Sequence, residues 1–361
     1  METFFELVQM AIGRRDALSS IPQTRAEWEQ LCKLTAKHNL LGITFPVIDR
    51  LHDTEESLPL GIYSRWAMTA EKIGNKNSKL LEYCRELHKS FLSDGFRSCV
   101  LKGQAAAALY PEPSLRQSGD IDIWVEGERQ ELVDYLRARC EVRKVVYHHC
   151  DTRLMPKVGV EVHFTPSWMN APGANRRLQD WFDSVKDRQF SNYCEALGFC
   201  VPDLRFNAVY MLVHIYRHVL EEGVGLRQLL DYYYVLMHLS EDERLLVLAD
   251  LRHLKLYGFA ASVMYVLREV FLMDEGALLM PADPKGGKFL LEEILISGNF
   301  GRYDERNAHD KKESLVAHGK RKVGRGLRYL FHYPSEVLFM PYYLVWQYFW
   351  RRRKGYLYKG R

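Results

Sequence analysis

The most constraining feature of the sequence is a strand–helix–strand segment that ends in two closely spaced aspartates. An apolar strand is predicted over Ser98–Leu101, and a short alanine-rich helix over Gln104–Tyr110. After a turn at Gly119, the chain enters a second strand that carries Asp120 and Asp122. Two acidic residues within an otherwise apolar strand need a physical explanation.

Side chains alternate between the two faces of a strand, so Asp120 and Asp122 point the same way. Ile121, Ile123 and Val125 point the other way, into a predicted core. Two carboxylates about 7 Å apart on one face repel each other and are poorly placed in an apolar layer. A bound divalent cation would remove this conflict, and hard oxygen ligands of this kind suit Mg²⁺ bridged to phosphates.

Four motifs in and beyond this segment form a set: Leu101-Lys102-Gly103, Tyr110-Pro111, Arg116-x-x-Gly119-Asp120-Ile121-Asp122 and Glu161-Val162-His163. On these motifs the chain resembles the DNA polymerase beta-like nucleotidyltransferase superfamily and, more narrowly, the uncharacterised bacterial nucleotidyltransferase family NTP_transf_5. The sequence departs from the superfamily pattern at Gln104, where Ser or Gly is usual, and in the long interval from Gly103 to Asp120. The likeness is centred on residues 96–166.

The resemblance implies a metal site built from three carboxylates. A third strand is predicted over Val158–Phe164, on which Glu161 and His163 share one face. If this strand lies beside the strand of Asp120 and Asp122, Glu161 completes the cluster, and these three residues are the predicted catalytic and metal-binding residues. Two Mg²⁺ (or Mn²⁺) ions roughly 3.5–4 Å apart would then activate an attacking hydroxyl and neutralise the pyrophosphate leaving an NTP.

Residues around this cluster have predicted roles in nucleotide binding. Gly103 allows backbone amides to approach phosphates, and the N-terminus of the helix that follows offers unpaired N–H groups. Arg227 and Asp231 are one helical turn apart, and the resemblance implies that they line the cleft. The predicted nucleotide-binding residues are Lys102, Gly103, Gln104, Arg116, Ser118, His163, Arg227 and Asp231.

Around this core the sequence predicts an α+β fold of three regions. Residues 1–95 form an N-terminal helical region, residues 96–166 a nucleotidyltransferase core with a small mixed β-sheet, and residues 167–361 a C-terminal helical domain. Within the last region, residues 281–287 are predicted as a loop and residues 302–326 as a mobile connection. Helices are predicted there over Phe206–Leu220, Leu226–His238, Glu241–Leu254, Ala260–Phe271 and Lys288–Ile296.

Composition restricts the compartment and the class of partner. The 361 residues carry a formal net charge of +4, which is too small to imply nucleic-acid binding. Seven scattered cysteines without a CxxC pair predict reduced thiols and a cytoplasmic location. No signal peptide is predicted after Met1, and no stretch reaches the roughly 20 apolar residues that a membrane-spanning helix needs.

Three other patterns receive a structural interpretation. His214 and His218 lie one helical turn apart without an evident third ligand, so we interpret them as packed residues of a helix. His148-His149-Cys150-Asp151 has a metal-like composition, but adjacent residues diverge on a strand or turn, and no metal site is predicted there. Val337–Trp350, followed by the basic residues 351–354, is interpreted as a packed terminal helix. Peripheral membrane contact through residues 337–354, and contact with nucleic acid or a protein partner, are the alternatives.

The sequence leaves three functional hypotheses open. The first is a Mg²⁺-dependent nucleotidyltransferase that moves an NMP from an NTP to a hydroxyl of an unknown acceptor, a small molecule or a protein. The second is the same chemistry on nucleic acid, which a basic run favours and the scarcity of aromatic residues there disfavours. The third is a non-catalytic nucleotide- or partner-binding module on the same scaffold, suggested by Gln104 and the long loop. The basic run consists of Lys311, Lys312, Lys320, Arg321, Lys322 and Arg325.

Overall fold

The N-terminal part of the chain is helical, as its hydrophobic periodicity predicts. The computed structural model describes residues 1–307 and 315–356, so that Lys311 and Lys312 of the basic run lie outside the described residues. The four N-terminal helices are α1 (Glu2–Ala11), α2 (Arg25–Lys37), α3 (Leu41–Thr54) and α4 (Leu60–Ser93). The predicted capping box of Thr24 and Glu27 begins α2.

A five-stranded mixed sheet forms the centre of the structure and confirms the α+β class. Its elements are β1 (Ser98–Leu101), α5 (Gly103–Ala107), β2 (Ile121–Val125), α6 (Arg129–Arg137), β3 (Val142–Val145), β4 (His149–Met155) and β5 (Val158–His163). The strands lie in the order β1-β2-β5-β4-β3. β2 and β5 run parallel, and the other neighbouring strands pair antiparallel.

The C-terminal part is built mainly of helices, with one short two-stranded sheet. Its elements are α7 (Pro172–Ser191), β6 (Tyr193–Cys194), β7 (Phe199–Cys200), α8 (Leu204–Glu221), α9 (Leu226–His238), α10 (Glu241–His253), α11 (Tyr257–Phe271), α12 (Pro284–Ser297), α13 (Leu315–Leu327) and α14 (Pro334–Arg353). In the described part of the chain, no helix is both long enough and apolar enough to span a bilayer.

The two faces of the central sheet have different neighbours, because side chains alternate along each strand. On one face, Val100, Ile123 and Val162 join a buried cluster that includes Leu87 of α4 and Leu132 of α6. This face is the core of the sheet region, and its apolar residues are those that the alternation predicts.

The opposite face carries an aromatic cluster at one end and acidic residues at the other. Trp124 packs with ring-centroid distances of 4.6 Å to Phe190 of α7 and 5.8 Å to Phe206 of α8. Asp122 precedes Trp124 by two residues and therefore points to the same face. The aromatic contacts thus attach the C-terminal helices to the face that presents the acidic residues.

Several predicted boundaries were wrong. The sequence prediction missed β4, and α5 ends at Ala107, before the predicted end at Tyr110. α12 begins at Pro284, inside the predicted loop, because Asp283 caps its first turn. α13 lies within the predicted mobile connection, where buried Arg325 pairs with Asp304 at 3.2 Å. α14 spans 20 residues and is longer than the predicted apolar stretch.

The N-terminal helices contact the segments that lead to the acidic face. His38, directly after α2, is fully buried, and its Nδ1 accepts a hydrogen bond of 3.3 Å from the backbone N–H of Leu226 at the start of α9. Gly42 of α3 lies against the backbone of Leu115, so that an added Cβ would overlap the Leu115 carbonyl oxygen. These contacts position α9 and the loop that carries Arg116.

The variant Gly42→Ala tests the close approach of α3 to Leu115. The added methyl group requires the backbone to shift, and we expect a loss of about 1–3 kcal/mol in the free energy of unfolding. Gly74→Ala in α4 is the matched control, because an added Cβ meets no atom within 4 Å; a gain of about 1 kcal/mol is expected from its helix propensity. Urea denaturation measures the free energy of unfolding of both variants. A change of the same sign in both would contradict the close contact between Gly42 and Leu115.

The buried His38 predicts a pH-dependent part of the stability. Burial, with a smaller contribution from Lys37, lowers the pKa of His38 from its ordinary value of 6.5 to about 3. The unfolded chain therefore binds a proton that the native state does not, and stability falls as the pH drops below about 6.5. We expect this group to contribute a loss of about 2 kcal/mol between about pH 7.5 and pH 5.

Urea denaturation across this pH range measures the effect of His38. In His38→Gln this component of the pH dependence should disappear, whereas His253→Gln, at an exposed position of α10, should retain it. The same pH slope in the wild type and in His38→Gln would contradict the assignment.

Candidate active site

The acidic residues predicted from the sequence lie together on the polar face of the sheet. In the parallel pairing of β2 with β5, Asp122 stands directly opposite Glu161. Asp120 immediately precedes β2 and lies beside Gly159 of β5, where an added Cβ would be 3.9 Å from the Cβ of Asp120. All three carboxylates line one cavity of about 1050 Å³. The structure therefore brings the predicted acidic residues to a common surface.

Asp122 is buried and is held in its charged form by two neighbours. Its Oδ1 lies 2.9 Å from Nζ of Lys102 and 3.0 Å from Nε2 of His163. Burial opposes the charged form, but Lys102 and His163 outweigh it and hold the pKa of Asp122 well below its ordinary value. Burial likewise opposes the charge on His163, but Asp122 and Glu161 outweigh it and raise the pKa of His163 to about 8.

Asp120 and Glu161 face the cavity with less burial of their side chains. Although Asp120 is exposed to the cavity, desolvation by the surrounding walls and the charges of Asp122 and Glu161 raise its pKa to about 6. Burial also acts against the charge of Glu161, yet His163 and His149 outweigh it and lower the pKa of Glu161. The acidic cluster therefore carries an excess of negative charge on its cavity side.

A tight backbone corner connects β1 with the cavity. Lys102 and Gly103 have φ angles of 47° and 39°, in the region that favours glycine and strains lysine. The corner directs Lys102 towards Asp122, and Gly103 itself lines the cavity. The following helix, α5, has only five residues and is shorter than the helix that the phosphate-binding prediction assumed.

A buried network of charges connects the sheet region to the helical half. Asp231 of α9 accepts two hydrogen bonds of 2.7 Å from the guanidinium group of Arg116 and one of 2.6 Å from the hydroxyl of Tyr110. Arg227, one helical turn before Asp231, also pairs with it, at 3.2 Å, and the predicted roles of both residues in nucleotide binding remain predictions. Arg116 thus has an internal partner, and its predicted contact with phosphate remains a prediction.

Gln104 and Ser118 turn inward, beneath the cavity wall. The side-chain amide of Gln104 donates to Oδ1 of Asn77 at 3.3 Å and to Oγ of Ser118 at 3.4 Å. Oγ of Ser118 accepts a hydrogen bond of 2.9 Å from Arg116. Both side chains are buried and support the loop before Asp120. Their contact with a nucleotide likewise remains a prediction.

A histidine of β4 extends the site beyond the predicted residues. β4 pairs with β5 so that His149 lies opposite His163, and Asp151 opposite Glu161. Residues 148–151 do not form a metal-like cluster among themselves, but the neighbouring strand brings Glu161 and His163 close to His149. The sequence contained one signal for this: His149 and Asp151 are two residues apart, as Glu161 and His163 are, so each pair lies on one face of its strand.

The helical half supplies other parts of the cavity wall. His214 and His218 of α8 line the cavity, and burial, their largest influence, lowers the pKa of both. One face of α14 is buried at Val337, Met340 and Tyr343, so the interpretation of a packed helix holds for that face. Its outer face carries an exposed apolar stripe that consists of Leu338, Phe339 and Tyr342, whereas Val345, Tyr348 and Phe349, although exposed, line the cavity.

The donor set of the acidic cluster fits a hard divalent cation. Asp120, Asp122 and Glu161 offer carboxylate oxygens from two adjacent strands to one cavity. Mg²⁺ and Mn²⁺ prefer such oxygen ligands. Desolvation and then the charges of Asp122 and Glu161 raise the pKa of Asp120, and a bound cation would relieve the repulsion between these carboxylates.

The variant Asp231→Asn tests the contribution of the buried network. It leaves the guanidinium groups of Arg116 and Arg227 without their counter-charge, and we expect a loss of about 3–5 kcal/mol in the free energy of unfolding. Glu29→Gln is the matched control, since it removes a largely exposed pair with Arg25, which solvent screens, and should leave the free energy of unfolding nearly unchanged. Urea denaturation measures both; comparable losses would show that the buried network has no special role.

Three solved structures with detectable similarity are a nucleotidyltransferase-like protein and two CCA-adding enzymes. A nucleotidyltransferase-like antigenic protein from Paracoccidioides brasiliensis is 13% identical, with a TM-score of 0.31 over 49% of this chain and 93% of that chain. The CCA-adding enzyme of Thermotoga maritima, solved with tRNA, is 13% identical, with a TM-score of 0.21 over 80% and 87% of the two chains. A CCA-adding enzyme solved with CTP is 12% identical, with a TM-score of 0.20 over 79% and 85%. Scores this low carry no argument about function.

Sequence comparison assigns the chain to a family. No curated protein has a significantly similar sequence. A family model described as "Uncharacterised nucleotidyltransferase" matches residues 24–272, which is more than half of the chain and includes the whole central sheet. The resemblance seen in the sequence motifs is therefore confirmed, and the chain belongs to this family of nucleotidyltransferases.

Proposed function

We propose that the protein is a Mg²⁺- or Mn²⁺-dependent enzyme that transfers an NMP from an NTP to a hydroxyl of a small-molecule or protein acceptor. The observation that carries the proposal is the pairing of Asp122 with Glu161 on parallel strands, with Asp120 beside them in the same cavity. Membership of the nucleotidyltransferase family supports the class of reaction.

The proposed reaction is an in-line displacement at the α-phosphorus. The oxygen of the acceptor hydroxyl forms a bond to this phosphorus, the bond from phosphorus to the β-phosphate oxygen breaks, and pyrophosphate leaves. Glu161, a partly exposed carboxylate at the cavity surface, is positioned to take the proton of the hydroxyl. Bound Mg²⁺ would lower the pKa of that hydroxyl and neutralise charge on the pyrophosphate.

Residues of the chain would position the reacting groups. Asp120, Asp122 and Glu161 would hold the metal ions. Lys102 offers a charge-assisted contact to a phosphate oxygen, and Gly103 lets the backbone approach the phosphates without an intervening Cβ. Such positioning and electrostatic stabilisation account for most of the catalysis expected in phosphoryl-type transfer.

The cavity has the size and lining for two substrates. Its volume of about 1050 Å³ is at the upper end of the range of about 300–1000 Å³ for small-molecule pockets. Arg302 and Arg351 add positive charge to the wall, and Tyr343 and Tyr348 add aromatic surface. These groups suit the phosphates and the base of a nucleotide, with room for an acceptor.

The surroundings of the basic run favour a small-molecule or protein acceptor over nucleic acid. Lys322 pairs with Glu221 at 3.3 Å, and Arg325 is buried beside Asp304. Part of the run therefore has internal partners, which leaves fewer cations for phosphate backbones. The binding-module alternative is disfavoured by the three ionisable carboxylates that share the cavity, because a charged cluster of this kind is unfavourable without a bound cation.

Three further expectations stand as proposals. The division into residues 1–95, 96–166 and 167–361 describes a helical region, a catalytic core and a helical domain. The seven unpaired cysteines support a reducing compartment such as the cytoplasm. The exposed stripe of α14, followed by Arg351–Lys354, supports peripheral membrane contact through residues 337–354 as a secondary interaction.

Incubation with each α-labelled NTP, Mg²⁺ or Mn²⁺ and cell extract tests the proposal. We expect label transfer to an acceptor, and a decrease of about a thousandfold in Asp122→Asn, equivalent to about 4 kcal/mol of lost stabilisation. Asp134→Asn, at an exposed carboxylate of α6, is the control and should retain activity. Absence of transfer with every nucleotide, together with absence of metal-dependent NTP binding, would support the binding-module hypothesis.

A further inference from the structure

We propose that His149, Glu161 and His163 form a second metal site in the cavity, one that binds a borderline transition metal such as Zn²⁺. The site shares Glu161 with the acidic cluster but has two imidazole ligands. It depends on the geometry of these three side chains and holds whether or not the proposed transfer reaction is correct.

The distances among the three side chains match a metal-ligand shell. Oε2 of Glu161 lies 3.6 Å from Nδ1 of His149 and 3.5 Å from Nε2 of His163. Hydrogen bonds between nitrogen and oxygen are shorter, at about 2.7–3.2 Å. In a tetrahedral site with bonds of about 2.1 Å, neighbouring ligand atoms are about 3.4 Å apart. One ligand atom from each residue lies within 4.8 Å of the others.

The ring of His149 is oriented by a carboxylate on its far side. Nε2 of His149 lies 2.9 Å from Oδ1 of Asp151. This contact places the imidazole proton on Nε2 and leaves Nδ1, which lies 3.6 Å from Oε2 of Glu161, as the ring nitrogen with a lone pair for a metal. A carboxylate in this position is typical of histidines that bind metals. The pairing of β4 with β5 brings together the ligands and this supporting carboxylate.

Two neighbours, Asp122 and His148, must give up a contact when a metal binds. Nε2 of His163, the proposed ligand atom, lies 3.0 Å from Oδ1 of Asp122, and a metal on this nitrogen replaces the proton that the two share. Nε2 of His148 lies 2.7 Å from Nδ1 of His149, and the ring of His148 stacks on Trp168 with a centroid distance of 3.8 Å. In the described residues, Nδ1 of His148 is buried without a hydrogen-bond partner. A metal on Nδ1 of His149 uses the lone pair that His148 now contacts, so His148 gives up this hydrogen bond when the metal binds.

The charges that face the cavity favour a cation at this position. Beside the proposed site, Lys102, Lys144 and Arg351 face a larger number of carboxylates. Other cations of the cavity wall have carboxylate partners of their own, such as Arg116 with Asp231 and Lys322 with Glu221. The carboxylates that line the cavity at and beside the site are Asp120, Asp122, Asp151 and Glu161. A divalent cation reduces their mutual repulsion.

The ligand types select the metal. Mg²⁺ prefers oxygen ligands and an octahedral shell, whereas imidazole with a carboxylate suits Zn²⁺ and Co²⁺. Three protein ligands leave a fourth position for water or a substrate atom, which is the pattern of catalytic rather than structural zinc sites.

Zinc binding by the full-length protein tests the proposal. After removal of metals with a chelator, we expect the protein to bind one equivalent of Zn²⁺ and to retain it in millimolar Mg²⁺. X-ray absorption should show imidazole scattering. His149→Gln and His163→Gln should each weaken Zn²⁺ binding at least about tenfold. His253→Gln, on the exposed surface of α10, should leave it unchanged. Zinc without imidazole ligands, or equal affinity in all variants, would overturn the site.

Two further variants separate this site from the transfer reaction and from folding defects. Asp120→Asn removes a ligand of the acidic cluster only, so it should abolish transfer and retain imidazole-bound zinc. Transfer by a wild-type protein that holds no imidazole-bound zinc would overturn this inference and leave the proposed function standing. Should the histidine variants not fold, Asp151→Asn provides a second measurement. Asp151 acts only through its contact with His149, and its replacement is expected to lower the Zn²⁺ affinity about tenfold or more.

Discussion

The parallel pairing of β2 with β5 is the interaction on which the candidate site depends. It places the carboxylate of Asp122 opposite that of Glu161, and two such charges in a partly buried cavity repel each other. Lys102 and His163 both contact the same oxygen of Asp122 and compensate part of this charge. The apolar reverse face, which includes Ile123, maintains the register, because a slip of one residue would exchange the core and cavity faces.

The position of the helical half relative to the sheet depends on a second buried interaction. Asp231 receives both hydrogen bonds of the Arg116 guanidinium and a third from Tyr110. Burial of these charges is unfavourable by itself, so the network is stable only when all partners are present. α9, which carries Asp231, begins where its first N–H contacts His38. One wall of the cavity is therefore held by contacts from both the N-terminal helices and the loop before the acidic strand.

Much of this arrangement was predictable from short-range patterns. The bounds of α9 and β1, and the common face of Asp120 and Asp122, follow from periodicity within single elements. β4 escaped prediction because its polar residues face the cavity and interrupt the apolar pattern of a strand. α13 escaped prediction because the groups that hold it, such as Asp304 for Arg325, lie outside its own segment.

Periodicity specified which side chains share a face, because the geometry of a strand or helix repeats over a few residues whatever surrounds it. The resemblance to the family motifs identified Glu161 as the third carboxylate of the predicted metal site. Only the folded chain decided that Asp231 is the partner of Arg116 and that His149 joins Glu161, since these contacts unite segments whose separation in the chain leaves no periodic signal. Strand order and helix packing set such distances, and both result from the burial of the whole core.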